Sequence, residues 1–260
     1  MSIVTLITDF GTADGYVGEM KGEILTRTPS SLVVDVTHDI APGDISAASW
    51  TLSRIVQRFP RGTVHVCVVD PGVGGRRVPI AARLEDWWYV GPDNGLLSRA
   101  AKRVGVAEAW ILEPAKMGLH SPSGTFHGRD IFAPAAALLA GGAEATSLGT
   151  RTEPGRLVSV DVSEPVRTGE RVRGEVVHID RFGNIVTDVP AVWLTPSALV
   201  EIAGWEISGI RATYSSVQSG EMVALVGSGM TLEVAVRDGS AAEQLGITRG
   251  ETVRVRPERN

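Results

Sequence analysis

The sequence lacks most features that mark secreted, membrane or nucleic-acid-binding proteins. Its single cysteine, Cys67, cannot form a disulfide within the chain, so a cytoplasmic location is predicted. No apolar run approaches the roughly 18 residues of a membrane span, and no basic stretch precedes the first apolar run, so neither a membrane protein nor a signal peptide is predicted. The net charge is −5 and there is no basic stripe, which argues against a nucleic-acid partner.

What the sequence does contain is the composition of a soluble globular protein, with 43% hydrophobic and 21% charged residues. In the first half, strand-like and helix-like segments alternate, which predicts an α/β domain with a central, largely parallel sheet. From about residue 155, short strands between Gly, Asp and Ser turns predict an all-β, barrel-like domain. The predicted domains are residues 1–155 and 165–260, with a linker at about 149–165.

Acidic residues recur where the predicted strands of the first half end. They are Asp9, the segment 35–39, Asp70 and Asp93. Ligands of open α/β sheets bind outside the carboxyl ends of the strands, so this recurrence indicates a site. Such carboxylates could hold a metal ion or the hydroxyl groups of a polar substrate, although each one alone is also a common turn residue.

Two glycine-rich loops carry further candidates. The strand that ends in Asp70 is followed by a Pro-Gly turn, two glycines and the pair Arg76 and Arg77. His127 lies between Gly124 and Gly128, just before a predicted helix whose N-terminus offers free N–H groups. Glycine lets the backbone approach a ligand closely, but surface arginines and a structural histidine are the simpler interpretation of each loop by itself.

A third candidate opens the predicted β domain. Asp180 and Asn184 flank Phe182 on a turn at Gly183. This places a hydrogen-bond acceptor, an amide and a flat apolar face within a few residues. An ordinary hairpin turn explains the same pattern equally well.

Six motifs, in their order and spacing, resemble one family. They are TDFGTADGYVGEMKG, DVTHDIAPGDI, VVDPGVGGRR, YVGPDNGLLS, TFHGRDIFAPAAA and IDRFGNIVTDV. Together they resemble the S-adenosyl-L-methionine hydroxide adenosyltransferases, relatives of the bacterial fluorinase and chlorinase, over nearly the whole chain. The resemblance implies an α/β and a β-barrel-like domain, a homotrimer with active sites at subunit interfaces, and hydrolysis of S-adenosyl-L-methionine to adenosine and L-methionine without a cofactor or a metal.

The resemblance also implies roles for single residues. The set that marks the hydroxide-forming members matches Asp70, Arg77 and His127, with Arg76 then at the surface. The implied substrate-binding residues are Asp9 and Asp14 for the ribose, Asp180, Asn184 and Ser228 for the methionine end, and Phe182 beside the adenosine. Two positions depart from the fluorinase pattern, with Gly43 in place of a tryptophan and Gly229 in place of an arginine.

The implied chemistry makes sense of these residue types. The leaving group at C5′ is a neutral thioether, which needs no general acid, whereas water is a poor nucleophile and must be oriented and deprotonated. Asp70 and His127 can each accept a proton and Arg77 cannot. His127 is favoured as the acceptor because Arg77 can hold Asp70 in an ion pair, and sharing of a hydroxide-like water by all three residues is the other option.

Three other functions remain as alternatives. A halogenase of the same fold ranks lower, because an ionised Asp70 would repel a halide. A metal-dependent phosphohydrolase could use carboxylate and imidazole ligands, but a compact ligand motif such as H-E-x-x-H is missing. Its ligands would be Asp9, Asp35, His38, Asp70 and His127. The third alternative is a non-catalytic sensor of S-adenosyl-L-methionine or adenosine.

Overall fold

The chain folds into two compact units, Met1–Asp161 and Val162–Asn260. The structure is a computed structural model that describes residues 2–160 and 162–257. No helix within these ranges has the length and apolar character that crossing a membrane requires.

The first unit is built on a seven-stranded sheet with helices between the strands. In chain order the elements are β1 (Ile3–Thr8), α1 (Tyr16–Arg27), β2 (Leu32–Thr37), α2 (Ile45–Ile55), β3 (Val64–Val68), β4 (Pro79–Leu84), β5 (Trp87–Pro92), α3 (Ser98–Val104), β6 (Glu108–Leu112), α4 (Ala133–Ala140) and β7 (Gly149–Thr152). A π-helical turn, Gly128–Phe132, leads directly into α4.

The sheet is mixed, which corrects the prediction of a largely parallel sheet. Its order is β2-β1-β3-β5-β4-β6-β7. The pairs among β2, β1, β3 and β5 are parallel, while β5–β4, β4–β6 and β6–β7 are antiparallel. The reason is local: only Glu85 and Asp86 connect β4 to β5, and a link of two residues can form a hairpin but not a crossover.

Helices cover both faces of this sheet. On one face, residues of α1 and α4 form an apolar cluster with strand residues. On the other face, residues of α2 and α3 form a second apolar cluster, and β3 contributes residues to both clusters. All five residues of β3 are buried, as expected for a central parallel strand. Cys67 is fully buried in this strand, and burial raises the pKa of its thiol well above the ordinary value, so the residue serves packing.

The stretch 149–165, where the sequence predicts a linker, begins with β7 and continues along the first unit. The amide of Val158 donates to Asp93 Oδ1 at 2.8 Å, and the amide of Val160 donates to Ser98 Oγ at 3.0 Å. These bonds attach the chain to the first unit as far as Val160.

Most of the regular elements of the second unit are strands. They are β8 (Val166–Thr168), β9 (Arg171–Ile179), β10 (Ile185–Pro190), β11 (Ala198–Ile202), β12 (Trp205–Ser208), β13 (Ile210–Arg211), β14 (Met222–Val226), β15 (Thr231–Val236) and β16 (Thr252–Pro257), with one short helix, α5 (Ala241–Leu245). They form a nearly barrel-shaped sheet in the order β12-β11-β16-β9-β10-β15-β14-β13, with β8 beside β9. The protein is thus a two-domain mixed α/β protein.

Candidate active site

A cavity of about 760 Å³ lies where β1 and β3 end, in the first unit. Asp9 follows the last residue of β1, and Asp70 follows the apolar run of β3. This is the edge of the sheet at which open α/β folds bind ligands. The acidic and basic lining residues, with the histidine, are Asp9, Glu19, Asp70, His127 and Arg129.

Two glycines bring the two loops at this cavity together. Gly74 has a φ of +72°, which glycine adopts readily, and a side chain there would overlap the carbonyl oxygen of Gly124. The second loop is fastened at its base by the amide of Ser123, which donates to Asp130 Oδ2 at 2.7 Å. Close approach of the loops is what lets residues 50 positions apart in sequence, Arg77 and His127, meet.

Arg77 binds both Asp70 and His127. Its Nε donates to Asp70 Oδ1 at 2.9 Å, and its Nη2 contacts Asp70 Oδ2 and lies 2.8 Å from His127 Nδ1. The Arg77 and Asp70 side chains are only 9% and 5% exposed, and the guanidinium carbon lies 5.6 Å from the centre of the Phe132 ring. Arg76 is exposed. The structure therefore brings together Asp70, Arg77 and His127, with Arg77 at the centre.

The contact with Arg77 determines which ring nitrogen of His127 carries the proton. A guanidinium has only donors, so the ring nitrogen that faces it, Nδ1, must accept and must be unprotonated. In the neutral ring the proton then sits on Nε2. A second proton would place two donors face to face, and burial together with the charge of Arg77 lowers the pKa of His127 from its ordinary value of 6.5, against a smaller opposite effect of Asp70.

Asp9 also lines the cavity. Its Oδ2 accepts a hydrogen bond of 2.8 Å from the amide of Gly43, which fixes the carboxylate and leaves Oδ1 for a ligand. Gly43 has a φ of +75°, so the departure from the fluorinase pattern at this position places a glycine where the backbone needs one.

Three aromatic residues that the sequence analysis did not single out form part of the cavity wall. The rings of Phe10, Tyr16 and Phe126 contact one another edge to face, with centroids 5.3–6.1 Å apart. Arg129 lies over Phe126, with its guanidinium carbon 5.0 Å from the ring centre. Phe10 and Phe126 are adjacent in sequence to Asp9 and His127, and Tyr16 lies two residues after Asp14; this proximity to predicted site residues, in a chain with few aromatic residues, was the available signal.

The other strand-end acids lie elsewhere. Asp35 pairs with Lys21 at 2.6 Å and lies 3.0 Å from Nε2 of the buried His38, whose Nδ1 contacts Thr8 Oγ1. Asp93 holds the amide of Val158. Asp14 is exposed before α1 and does not line the cavity.

A metal centre was one alternative for these acids. Within residues 2–160 and 162–257, no group of three or more His, Cys, Asp or Glu side chains is arranged so that it could hold a metal ion. The five candidate ligands of that alternative are divided between the cavity and the Asp35–His38 pair.

The predicted methionine-end residues lie in the second unit. Asp180 organises its own turn: Oδ1 accepts from the amides of Phe182 and Asn184, both at 2.9 Å, and Oδ2 accepts from Asn184 Nδ2 at 3.1 Å. The side chain of Phe182 is 76% exposed and Asn184 is buried. Ser228 lies in a different loop, between β14 and β15.

Comparison with known proteins identifies relatives over nearly the whole chain. The family models described as the SAM hydroxide adenosyltransferase N-terminal and C-terminal domains match residues 4–149 and 174–254. A curated protein of Thermus thermophilus named (R)-S-adenosyl-L-methionine hydrolase is 39% identical over 262 residues, 98% of this chain and 100% of that protein.

Two further similarities, one structural and one in sequence, are more distant. The crystal structure of an uncharacterized conserved protein from Thermotoga maritima superposes with a TM-score of 0.91 at 34% identity, and covers 97% of this chain and 99% of that one. A fluorinase of an Actinoplanes species is 26% identical over 212 residues, which is 72% of this chain and 71% of the fluorinase.

Proposed function

Because this chain belongs to the S-adenosyl-L-methionine hydroxide adenosyltransferase family, we propose that it is an enzyme that hydrolyses S-adenosyl-L-methionine to adenosine and L-methionine. The observation that carries the proposal is the Asp70–Arg77–His127 cluster at the end of β3, where a ligand of this fold would bind. Support also comes from the higher identity to a curated hydrolase, 39%, than to a fluorinase, 26%.

In the proposed reaction, a water molecule attacks C5′ in line with the bond to the sulfonium sulfur. The C5′–O bond forms as the C5′–S bond breaks, and the electron pair leaves with a neutral thioether, so no acid is needed at the leaving group. The water must lose one proton during or after the attack. The proposal has no cofactor, because the substrate supplies its own leaving group and water is the only co-reactant.

We assign the role of proton acceptor to Asp70 rather than to His127, which the sequence favoured. Each carboxylate oxygen of Asp70 accepts one bond from Arg77 and keeps lone pairs for the water. Arg77 remains charged and fixes the direction of these lone pairs. His127 has its Nδ1 occupied by Arg77 and offers only Nε2–H, so it donates to the water oxygen and orients it.

The remaining predicted residues keep their binding roles in the proposal. Asp9 and Asp14 bind the ribose hydroxyls, because a carboxylate can accept from two neighbouring hydroxyl groups. Asp180, Asn184 and Ser228 bind the methionine end, Phe182 lies beside the adenosine, and the active assembly is a homotrimer.

The experiment that tests the function is incubation of the protein with S-adenosyl-L-methionine in ¹⁸O-labelled water, followed by chromatography and mass spectrometry. We expect adenosine with the label in its 5′-hydroxyl, together with unlabelled methionine. Intact substrate would indicate a sensor. Formation of 5′-chloro-5′-deoxyadenosine when chloride is added would indicate a halogenase, and activity that EDTA abolishes and Mn²⁺ restores would indicate a metal-dependent enzyme.

Replacement of Asp9 by alanine is expected to raise KM about 10–100-fold with little change in kcat, because a charge-assisted hydrogen bond worth about 1.5–3 kcal/mol is lost from substrate binding. Steady-state kinetics measure both parameters. Asp39→Ala is the matched control, since Asp39 also follows a strand but is exposed and lies outside the cavity. An unchanged KM in Asp9→Ala would remove Asp9 from the ribose site.

The donor role of His127 predicts a difference between two substitutions. His127→Gln keeps an acceptor and a donor and should retain kcat within about tenfold, whereas His127→Ala should lose about 10–100-fold. The wild-type kcat should stay level as the pH falls through 6.5 and decline only below it, because protonation at a lowered pKa breaks the contact with Arg77. If glutamine is as damaging as alanine and the decline is centred at or above 6.5, His127 is the base.

A further inference from the structure

A second concave surface lies in the second unit, on residues to which the proposed function gives no role. It is a groove of about 750 Å³ on β8, β9, β11 and β16. Its charged lining residues are Arg171, Arg173, Glu201, Arg254 and Arg256. Four guanidinium groups in one groove stand out in a chain whose net charge is −5.

Strand alternation places these arginines on one face. Arg171 and Arg173 are exposed on β9 and are separated by the buried Val172, and Arg254 is exposed on β16 between the buried Val253 and Val255. Since side chains alternate along a strand, the valines face the core and the arginines face the groove.

The register of the strands brings like charges together. Arg254 is paired directly with Arg173 across β16 and β9. Side chains in such positions have Cβ atoms about 4.5–5.5 Å apart, and like charges directly opposite each other destabilise a sheet. Arg171 lies two residues along the same strand, about 7 Å away. Three positive groups therefore lie within the reach of one small ligand.

Glu201, the acidic residue that lines the groove, is already engaged. Glu201 faces Arg254 in the register, but Arg256 binds Glu201 through Nε and Glu206 through Nη2, the latter at 2.8 Å. Among the described residues, no carboxylate pairs with Arg171, Arg173 or Arg254. Among the described residues, these three guanidinium groups are thus in no ion-pair contact with a carboxylate.

We propose that this groove binds an oligophosphate, a small ligand with two or more linked phosphate groups. A guanidinium presents a planar fork of donors that matches phosphate oxygens. A single phosphate could bridge the pair Arg173 and Arg254, and a second one is needed to reach Arg171. The Thr168 hydroxyl, in the same groove, adds a neutral hydrogen-bonding group.

Isothermal titration calorimetry with tripolyphosphate tests this proposal. We expect saturable 1:1 binding to the wild-type protein that weakens with added salt, weaker binding of inorganic phosphate, and a loss of at least about tenfold in affinity in the double variant Arg173→Gln/Arg254→Gln. Arg211→Gln on β13, an exposed arginine that does not line the groove, is the matched control and should bind as the wild type does.

Thermal unfolding provides a second readout that does not depend on activity. Tripolyphosphate should raise the Tm of the wild type and should not raise that of the double variant. Without ligand, the Tm of the double variant should equal or exceed the wild-type Tm, because two positive charges that face each other are removed. If the double variant does not fold, Arg171→Gln replaces it, with the same expected loss of affinity.

Several results would overturn the proposal. They are absence of saturable binding, equal weakening in Arg211→Gln, binding of a single-stranded oligonucleotide without binding of tripolyphosphate, and loss of the oligomer in the double variant by light scattering. The last result would make the groove an interface between copies of the chain. Hydrolysis of S-adenosyl-L-methionine is measured separately, so a failure here leaves the proposed function intact.

Discussion

Replacement of Asp70 by asparagine is expected to lower kcat about 10²–10⁴-fold, the usual effect of losing acid–base assistance, with little change in the affinity for S-adenosyl-L-methionine. Asparagine has the same shape but cannot accept the proton of the attacking water. Its amide also offers a donor where Arg77 requires acceptors, so the pair of contacts with which Arg77 holds this side chain is lost as well.

Single-turnover release of adenosine measures the chemical step, and equilibrium binding is measured separately with the same variant. Asp93→Asn is the matched control, because Asp93 also follows a strand but binds the amide of Val158 and lies outside the cavity. A kcat within a few-fold of the wild-type value in Asp70→Asn would show that another group takes the proton.

Replacement of Arg77 by lysine is expected to lower kcat at least about 100-fold, although the positive charge is kept. An ammonium group cannot reproduce the two parallel contacts with Asp70 and also reach His127 Nδ1, so both side chains lose their orientation. The neighbouring Arg76, which is exposed, supplies the control: Arg76→Lys should differ from the wild type by less than about twofold.

Combining the two substitutions tests whether Asp70 and Arg77 contribute to kcat as one unit or independently. If Asp70 and Arg77 act as one unit, the Asp70→Asn/Arg77→Lys double variant should be little worse than the poorer single variant. Losses that multiply would mean that the two side chains contribute separately. Equal losses in Arg76→Lys and Arg77→Lys would contradict the assignment of Arg77.

The part of the site that the sequence predicts well is the part that depends on local chain geometry. Asp70 and Arg77 are seven residues apart across a glycine turn, and the turn folds the arginine onto the carboxylate as expected. The contact with His127 needs two loops that are distant in sequence to touch at Gly74 and Gly124, and no local pattern reports such an approach. The proton position on His127 follows from that contact, and so does the proposal of Asp70 as proton acceptor in place of His127, which the sequence favoured.

In the fold, too, local sequence patterns predict some features, and contacts between distant segments determine the others. The strands and the two principal helices of the first half follow from hydrophobic periodicity, and Asp44 caps α2 by accepting from the amide of Ala47 at 2.9 Å. The direction of β4 follows from the two-residue link to β5. This short link is visible in the sequence, but the strand–helix alternation earlier in the chain favours a parallel sheet and led to the wrong prediction. That β5, and not β4, pairs with β3 has no such local signal.

The π-helical turn at Gly128–Phe132 makes the length of this segment as important as its composition. A π turn holds one more residue than an α turn over the same rise, and His127 occupies the position just before it. Deletion of one residue there would let the backbone return to ordinary α-helical hydrogen bonding and would leave α4 packed as it is. It would keep His127 close to its present direction, whereas α-helical hydrogen bonding without the deletion would rotate His127 by about 100° about the helix axis, out of phase with Arg77.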